Sequence, residues 1–119
     1  MWTYTIYIIY TYIQHERPGQ DYEGTMHIAV KNFVNFVFNI IWTEHRIAFH
    51  DSEEDLKKDL KLLSRFGIID YSNEVITITS SQLSTLEGIG QAFKNDPMRT
   101  RMPIVNEYLK RIEAVLTAS

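Results

Sequence analysis

Lys57, Lys58, Lys61 and Arg65 crowd into one short run, DLKKDLKLLSR, whose leucines recur at helical spacing. On a helix Lys58, Lys61 and Arg65 stand at i, i+3 and i+7 and form one stripe. Cations in such a row meet successive oxygens of a phosphate backbone, with Lys57 assisting from the side. Arg99 and Arg101, in the connection Met98–Met102, make a second basic pair that flanks the first. The residues just before the run have the opposite character. Glu53, Glu54 and Asp55 suit the positive end of a helix dipole and repel phosphate. Glu53 with Lys57, and Glu54 with Lys58, are i,i+4 pairs in the favourable order. A solvated, self-paired helix face is therefore the competing reading of the same residues.

Other chemistry finds less support. Gly88-Ile89-Gly90 supplies part of a dinucleotide fingerprint, but Phe93 stands where the third small residue belongs. No strand–helix–strand unit with a downstream acid surrounds it. His15, His27, His45 and His50 lack metal-ligand spacing. Asp55 and Asp59 share a helical face without further ligands and read as surface acids. A nucleophilic Tyr108 would need a His-hydrophobic-His metal site, and no His-x-His occurs in the chain. Tyr108 reads as a core or interface aromatic. The expectation is a protein that is not an enzyme and uses no cofactor and no metal.

The elements that hold these residues are expected to form a single domain over 1–119, a length sufficient to bury a core. Hydrophobic residues at 45% and charged residues at 23% are ordinary for a soluble globular protein. Cysteine is absent, which removes disulfides and thiolate chemistry and fits a reducing, cytoplasmic setting. The net charge of −3 is unevenly spread: residues 1–56 carry three Lys/Arg against eight Asp/Glu, and 94–119 five against three. Such a balance argues against a general polyanion binder and leaves room for a local basic face. Met1–Ile13 lacks the basic start and small-residue cleavage site of a signal peptide. Phe33–Trp42, ten residues with Asn35 and Asn39, is too short and polar to span a bilayer, so no membrane partner is expected.

Trp2–Ile13 is dominated by Thr, Tyr and Ile, which predicts a β-strand over residues 1–14. A strand this long and uncharged must be covered by the sheet or by a second copy of the chain. His15–Gly24 reads as a loop. Asn32, Asn35, Asn39, Thr43 and Arg46 form a polar stripe opposite Ala29, Phe33, Phe36, Val37, Ile40 and Ile41. That pattern predicts a helix over Ile28–Glu44, with Thr25 as its cap. Arg46–Phe49 is a short β-like run. Ser52 with Asp55 has capping-box spacing and opens a helix over 52–66. Leu56, Leu60, Leu63 and Phe66 point to its core side, and Gly67 ends it. Ile68–Asp70 and Val75–Thr79 read as strands, with Ser72-Asn73 as the turn between them. Thr79 with Gln82 opens a helix over about Ser80–Lys94, in which Gly88 and Gly90 each cost roughly 1 kcal/mol relative to alanine. Pro103 starts a last helix, 103–118, whose apolar face packs back on the domain or pairs with a second chain.

The stretch LKLLSRFGIIDYSNEVITIT resembles the winged-helix superfamily. Leu60, Leu63, Gly67, Ile68, Ile76 and Ile78 occupy the places of a recognition helix, its Gly-Ile end and the following hairpin, or wing. The resemblance covers about residues 28–95. It implies an α+β fold: a winged-helix-like domain with an N-terminal β-strand and a C-terminal helical extension. It also implies a small dimeric transcriptional regulator that binds double-stranded DNA. Lys57, Lys58, Lys61, Arg65, Arg99 and Arg101 would contact the DNA, and the homodimer would form through the C-terminal helix or the N-terminal strand. Two features depart from the family pattern. Only Arg46–Asp51 separates the two helices, where a further helix is needed before the recognition helix. The recognition helix also begins with Glu53, Glu54 and Asp55, where base-contacting residues belong. The same fold can serve as a protein-interaction module, an adaptor, subunit or small viral or plasmid inhibitor. The acidic helix start and a pI near 5.8 favour that alternative. A ferredoxin-like sheet protein with Trp2–Ile13 as a central strand is a third.

Overall fold

In the computed structural model, residues 2–41 and 52–95 are described, together with the helical positions Lys110 and Ala114. They form an α+β fold. Helix α1 spans Trp2–Glu16, strand β1 Met26–Ala29, and helix α2 Val30–Asn35, which widens into a π-helical segment over Phe36–Ile41. Helix α3 covers Glu53–Arg65, strands β2 and β3 cover Asp70–Ser72 and Val75–Ile78, and helix α4 covers Ser80–Lys94. The strands make one antiparallel sheet in the order β1-β3-β2.

The N-terminal segment corrects the strand expected over 1–14: it is helical from Trp2 to Glu16. Every residue from Thr5 to Ile13 is buried. A helix with no wet side shows no 3.6-residue polar period, so only its β-branched and aromatic composition remained to be read. Helix propensities differ by less than about 1 kcal/mol among these types, and burial outweighs them. The buried hydroxyls are satisfied in a helical way. Thr11 Oγ1 donates to the Tyr7 carbonyl one turn back at 2.9 Å, and Thr5 Oγ1 donates to Asp59 Oδ2 of α3 at 2.8 Å. Tyr12 stands edge-on to Phe33 at 5.6 Å and to Phe36 at 5.1 Å, joining α1 to α2. Residues so enclosed offer no strand edge to a second chain, which removes the N-terminal strand as a dimer element.

The helix expected from Ile28, with Thr25 as cap, begins instead at Val30. Met26 and Ile28 are taken up by the sheet, where they pair with Ile78 and Ile76. Ala29 is the residue before the helix and makes no side-chain cap. The Val30 amide instead donates to the Glu74 carbonyl at 3.0 Å. Val30, Phe33, Phe36 and Val37 are buried, while Asn32, Asn35 and Asn39 face solvent as the polar stripe requires. The Arg46–Phe49 run lies outside the described residues.

Helix α3 follows its sequence closely. Ser52 is extended, and its hydroxyl accepts from the Asp55 amide at 3.2 Å. Leu56, Leu60 and Leu63 are fully buried. At the far end the Gly67 amide donates to the Ser64 carbonyl and the Ile68 amide to the Leu63 carbonyl. Gly67 has φ +77°, so this is the left-handed glycine cap that satisfies the last carbonyls of a helix. Phe66, expected in the core, is 56% exposed. The chain leaves the helix at that point, and Ile69 fills the core in its stead.

The hairpin turn sits one residue later than expected. Ser72 pairs with Val75, so the turn residues are Asn73 and Glu74, with φ of 52° and 59°. Positive φ at both positions is the turn whose twist matches a two-residue hairpin. Ile76 and Ile78 face the core. Thr79 and Gln82 then form a reciprocal capping box: the Thr79 amide donates to Gln82 Oε1 at 2.9 Å and the Gln82 amide to Thr79 Oγ1 at 3.3 Å. Gln82 Nε2 also donates to the Gly67 carbonyl at 3.2 Å, tying the start of α4 to the end of α3. Gly90 faces the Tyr10 ring of α1, and the Tyr10 hydroxyl accepts from Gln91 Nε2 at 2.8 Å.

Candidate nucleic-acid interface

Leu56, Leu60 and Leu63 hold one side of α3 in the core, so Lys58, Lys61 and Arg65 come out on the other side and all three are exposed. The stripe expected from their spacing is therefore present. It extends over about 10 Å of helix at 1.5 Å per residue. A shallow depression of about 310 Å³ lies along it, lined by Lys58, Asp59, Lys61, Leu62 and Arg65. Among the described residues none of the three cations belongs to an ion pair. Asp59, expected as a surface acid, is half-buried and accepts from Thr5 of α1.

Lys57 has a different role from the one its neighbours suggest. Its ammonium lies 3.2 Å from Glu53 Oε1 and 3.1 Å from Glu74 Oε2, and the side chain is only 26% exposed. The Glu74 carboxylate, and after it that of Glu53, raises the Lys57 pKa above the ordinary lysine value. The Tyr71 hydroxyl donates to Glu74 Oε1 at 3.5 Å, and burial followed by the Glu74 charge raises its pKa. Lys57 thus anchors the hairpin turn to the first turn of α3 instead of joining the stripe. Glu74 is seventeen positions away in the chain, and only the fold brings it to Lys57.

Glu54, expected from its spacing to pair with Lys58, makes no ion pair with it among the described residues. It is exposed and stands four residues before Lys58, on the same helical face. Leu62, half-buried and lining the depression, is an apolar member of this face that the spacing of the cations does not reveal. Arg99 and Arg101 lie outside the described residues, as does most of the 103–118 segment; its described positions, Lys110 and Ala114, are helical.

At the other end of the sheet, residues 20–26 form a tight loop closed by the Gln20–Met26 bridge. Asp21 Oδ1 accepts from the Glu23 and Thr25 amides at 2.9 and 3.0 Å, and Oδ2 lies 3.2 Å from His27 Nε2. The Thr25 amide is the main cause that lowers the Asp21 pKa. Tyr22, at the tip, is 98% exposed. Among the described residues no helix is long and apolar enough to cross a membrane. No family model, curated protein or solved structure matches this chain.

Proposed function

We propose that the protein binds double-stranded DNA through α3, as a small winged-helix regulator whose Lys58, Lys61 and Arg65 contact backbone phosphate. The observation that carries this reading is the exposed row of three cations, outside any ion pair among the described residues, along the depression that they line with Asp59 and Leu62. Each of the three cations can neutralise one backbone phosphate, so the row supplies up to about three phosphate contacts.

The architecture supports the winged-helix part of the proposal. The element order α1-β1-α2-α3-β2-β3, with the sheet arranged β1-β3-β2, fits the resemblance carried by α3 and its hairpin. With the first segment helical, α1 and α2 both precede α3, which supports a further helix before the recognition helix. A homodimer formed by the 103–118 segment completes the proposal. Sedimentation of the full chain against a chain ending at Asn95 tests it.

The binding test is a salt titration of fluorescence anisotropy on a labelled mixed-sequence duplex. Three phosphate contacts predict a slope of log K on log salt near −2.7, so affinity falls about 40-fold between about 50 and 200 mM salt. Lys61→Ala and Arg65→Ala should each weaken binding and flatten the slope by about 1. Unchanged affinity in both variants would overturn the proposal. A second reading, a protein-interaction module on the same fold, is favoured by Tyr22, an aromatic fully exposed on a loop braced by Asp21. Absence of duplex binding at low salt would select it.

A further inference from the structure

We infer that α3 meets DNA along its flank, from outside the groove, so that binding follows the phosphate backbone and does not select a base sequence. This inference rests on the proposal that α3 is the DNA-binding element. It turns on which end of the module is acidic and on what the stripe lacks.

A helix that reads bases does so with its N-terminal residues at the groove floor. Here that end presents Glu53 and Glu54, both exposed, and Asp55 behind them. The hairpin turn adds Glu74 at the same end, because Lys57 bridges Glu53 and Glu74. That end thus gathers four carboxylates, and Lys57, the cation among them, is already paired with Glu53 and Glu74. Entry end-on would press this acidic cluster into the most negative part of the duplex. It would also leave Lys61 and Arg65 roughly 12 to 18 Å behind the leading turn, at 1.5 Å per residue.

Flank-on approach avoids that repulsion and uses all three cations. From outside the groove, however, Lys58, Lys61 and Arg65 meet phosphate and not the guanine edges that lysine and arginine read inside it. Adenine is read by Asn or Gln, and α3 contains neither between Glu53 and Arg65. The hairpin cannot substitute. Its strands are three and four residues long, its turn carries no cation, and the turn is fastened by Lys57 and by the Val30 amide on the Glu74 carbonyl. A short, fastened, acidic turn is unsuited to the minor groove, where lysine or arginine is required. What remains is a set of backbone contacts, which position a protein without carrying sequence information.

The test uses the full chain and short duplexes of mixed, A-tract and GC-rich sequence, with a parallel selection from a random duplex pool. Affinities within about 3-fold across the panel, a common salt slope near −2.7 and no enriched motif are the expected results. Lys58→Ala, Lys61→Ala and Arg65→Ala should each lower the slope by about 1 on every duplex alike, reducing the fall between about 50 and 200 mM salt from about 40-fold to about 12-fold. Binding of one selected sequence 100-fold or more above the rest would overturn the inference while leaving α3 as the DNA-binding element. No binding of any duplex at low salt would overturn both.

Discussion

Gly88 and Gly90 stand two residues apart in the interior of α4, yet alanine should have opposite effects at the two positions. In either place the substitution removes a flexible residue from a helix and contributes about 1 kcal/mol of stabilisation. At Gly88 a new Cβ meets nothing within 4 Å, so that gain should appear in full. At Gly90 the Cβ would lie 2.5 Å from Tyr10 Cγ, 2.6 Å from Cδ1 and 2.8 Å from Cδ2. An ordinary carbon–carbon contact needs about 3.5 to 4.0 Å, so the ring must retreat by about 1 Å or more. Cγ lies near the root of the side chain, and the Tyr10 hydroxyl is held by Gln91 at 2.8 Å, so the ring cannot simply swing aside. Overpacking of this kind costs about 1–3 kcal/mol. Gly90→Ala should therefore end between neutral and about 2 kcal/mol destabilised, and 1–3 kcal/mol below Gly88→Ala. Urea unfolding of both variants, with m-values to confirm an unchanged denatured state, measures the difference. Tyr10→Ala in the Gly90→Ala background should show strong coupling by a double-mutant cycle. If Gly90→Ala unfolds within about 0.3 kcal/mol of Gly88→Ala, α1 and α4 do not depend on this close approach.

Lys57→Met removes the link between α3 and the hairpin turn. Because the Lys57 pKa is raised on folding, its stabilisation is complete below the ordinary value of 10.5 and is lost as pH climbs through the raised value. The stability gap between wild type and Lys57→Met should narrow in strong alkali, and thermal melts showing a constant gap would contradict the ion-pair assignment. Asp21 has the reverse sign: its folded pKa lies below 3.8, so its contribution is present above that value and lost as pH falls through the lowered one. Asp21→Asn should accordingly unfold more easily than wild type near neutrality and match it in acid; a deficit that persists in acid would point to packing instead. Glu54→Gln takes a carboxylate off the face that carries Lys58, Lys61 and Arg65, so duplex affinity at low salt should rise; weaker or unchanged affinity would count against flank-on contact.

The features legible beforehand are those whose partners lie within a few residues. Ser52 capping the Asp55 amide, Gly67 closing α3 and the Thr79–Gln82 box are bonds across three to five positions. Residue type and spacing specify such bonds almost completely. The cationic stripe was legible for the same reason, since i, i+3 and i+7 are neighbours on any helix. Features that failed depend on distant partners. Met26–Ala29 is a strand because Val75–Ile78 is there to pair with it, and its own pattern merges with the helix that follows. Lys57 reads as an assisting cation with Glu53 as its i,i+4 partner; that pair forms, and only the fold adds Glu74, which commits it. Gly90 looked like a helix defect, whereas it is the point at which α4 makes room for a ring from α1.

By itself the chain determined an α+β domain without cysteine chemistry, a capped amphipathic helix ended by glycine, a two-stranded hairpin and the face on which three cations lie. Those are matters of composition and local geometry, settled by hydrogen bonds and helical period within one turn. The tertiary structure alone decided that the first segment is a helix, because that choice hangs on being enclosed on every side. It also decided which cations remain outward, because a lysine is committed or available according to the carboxylates that packing brings within reach. Burial and long-range pairing are properties of the assembled fold, and no window along the chain contains them.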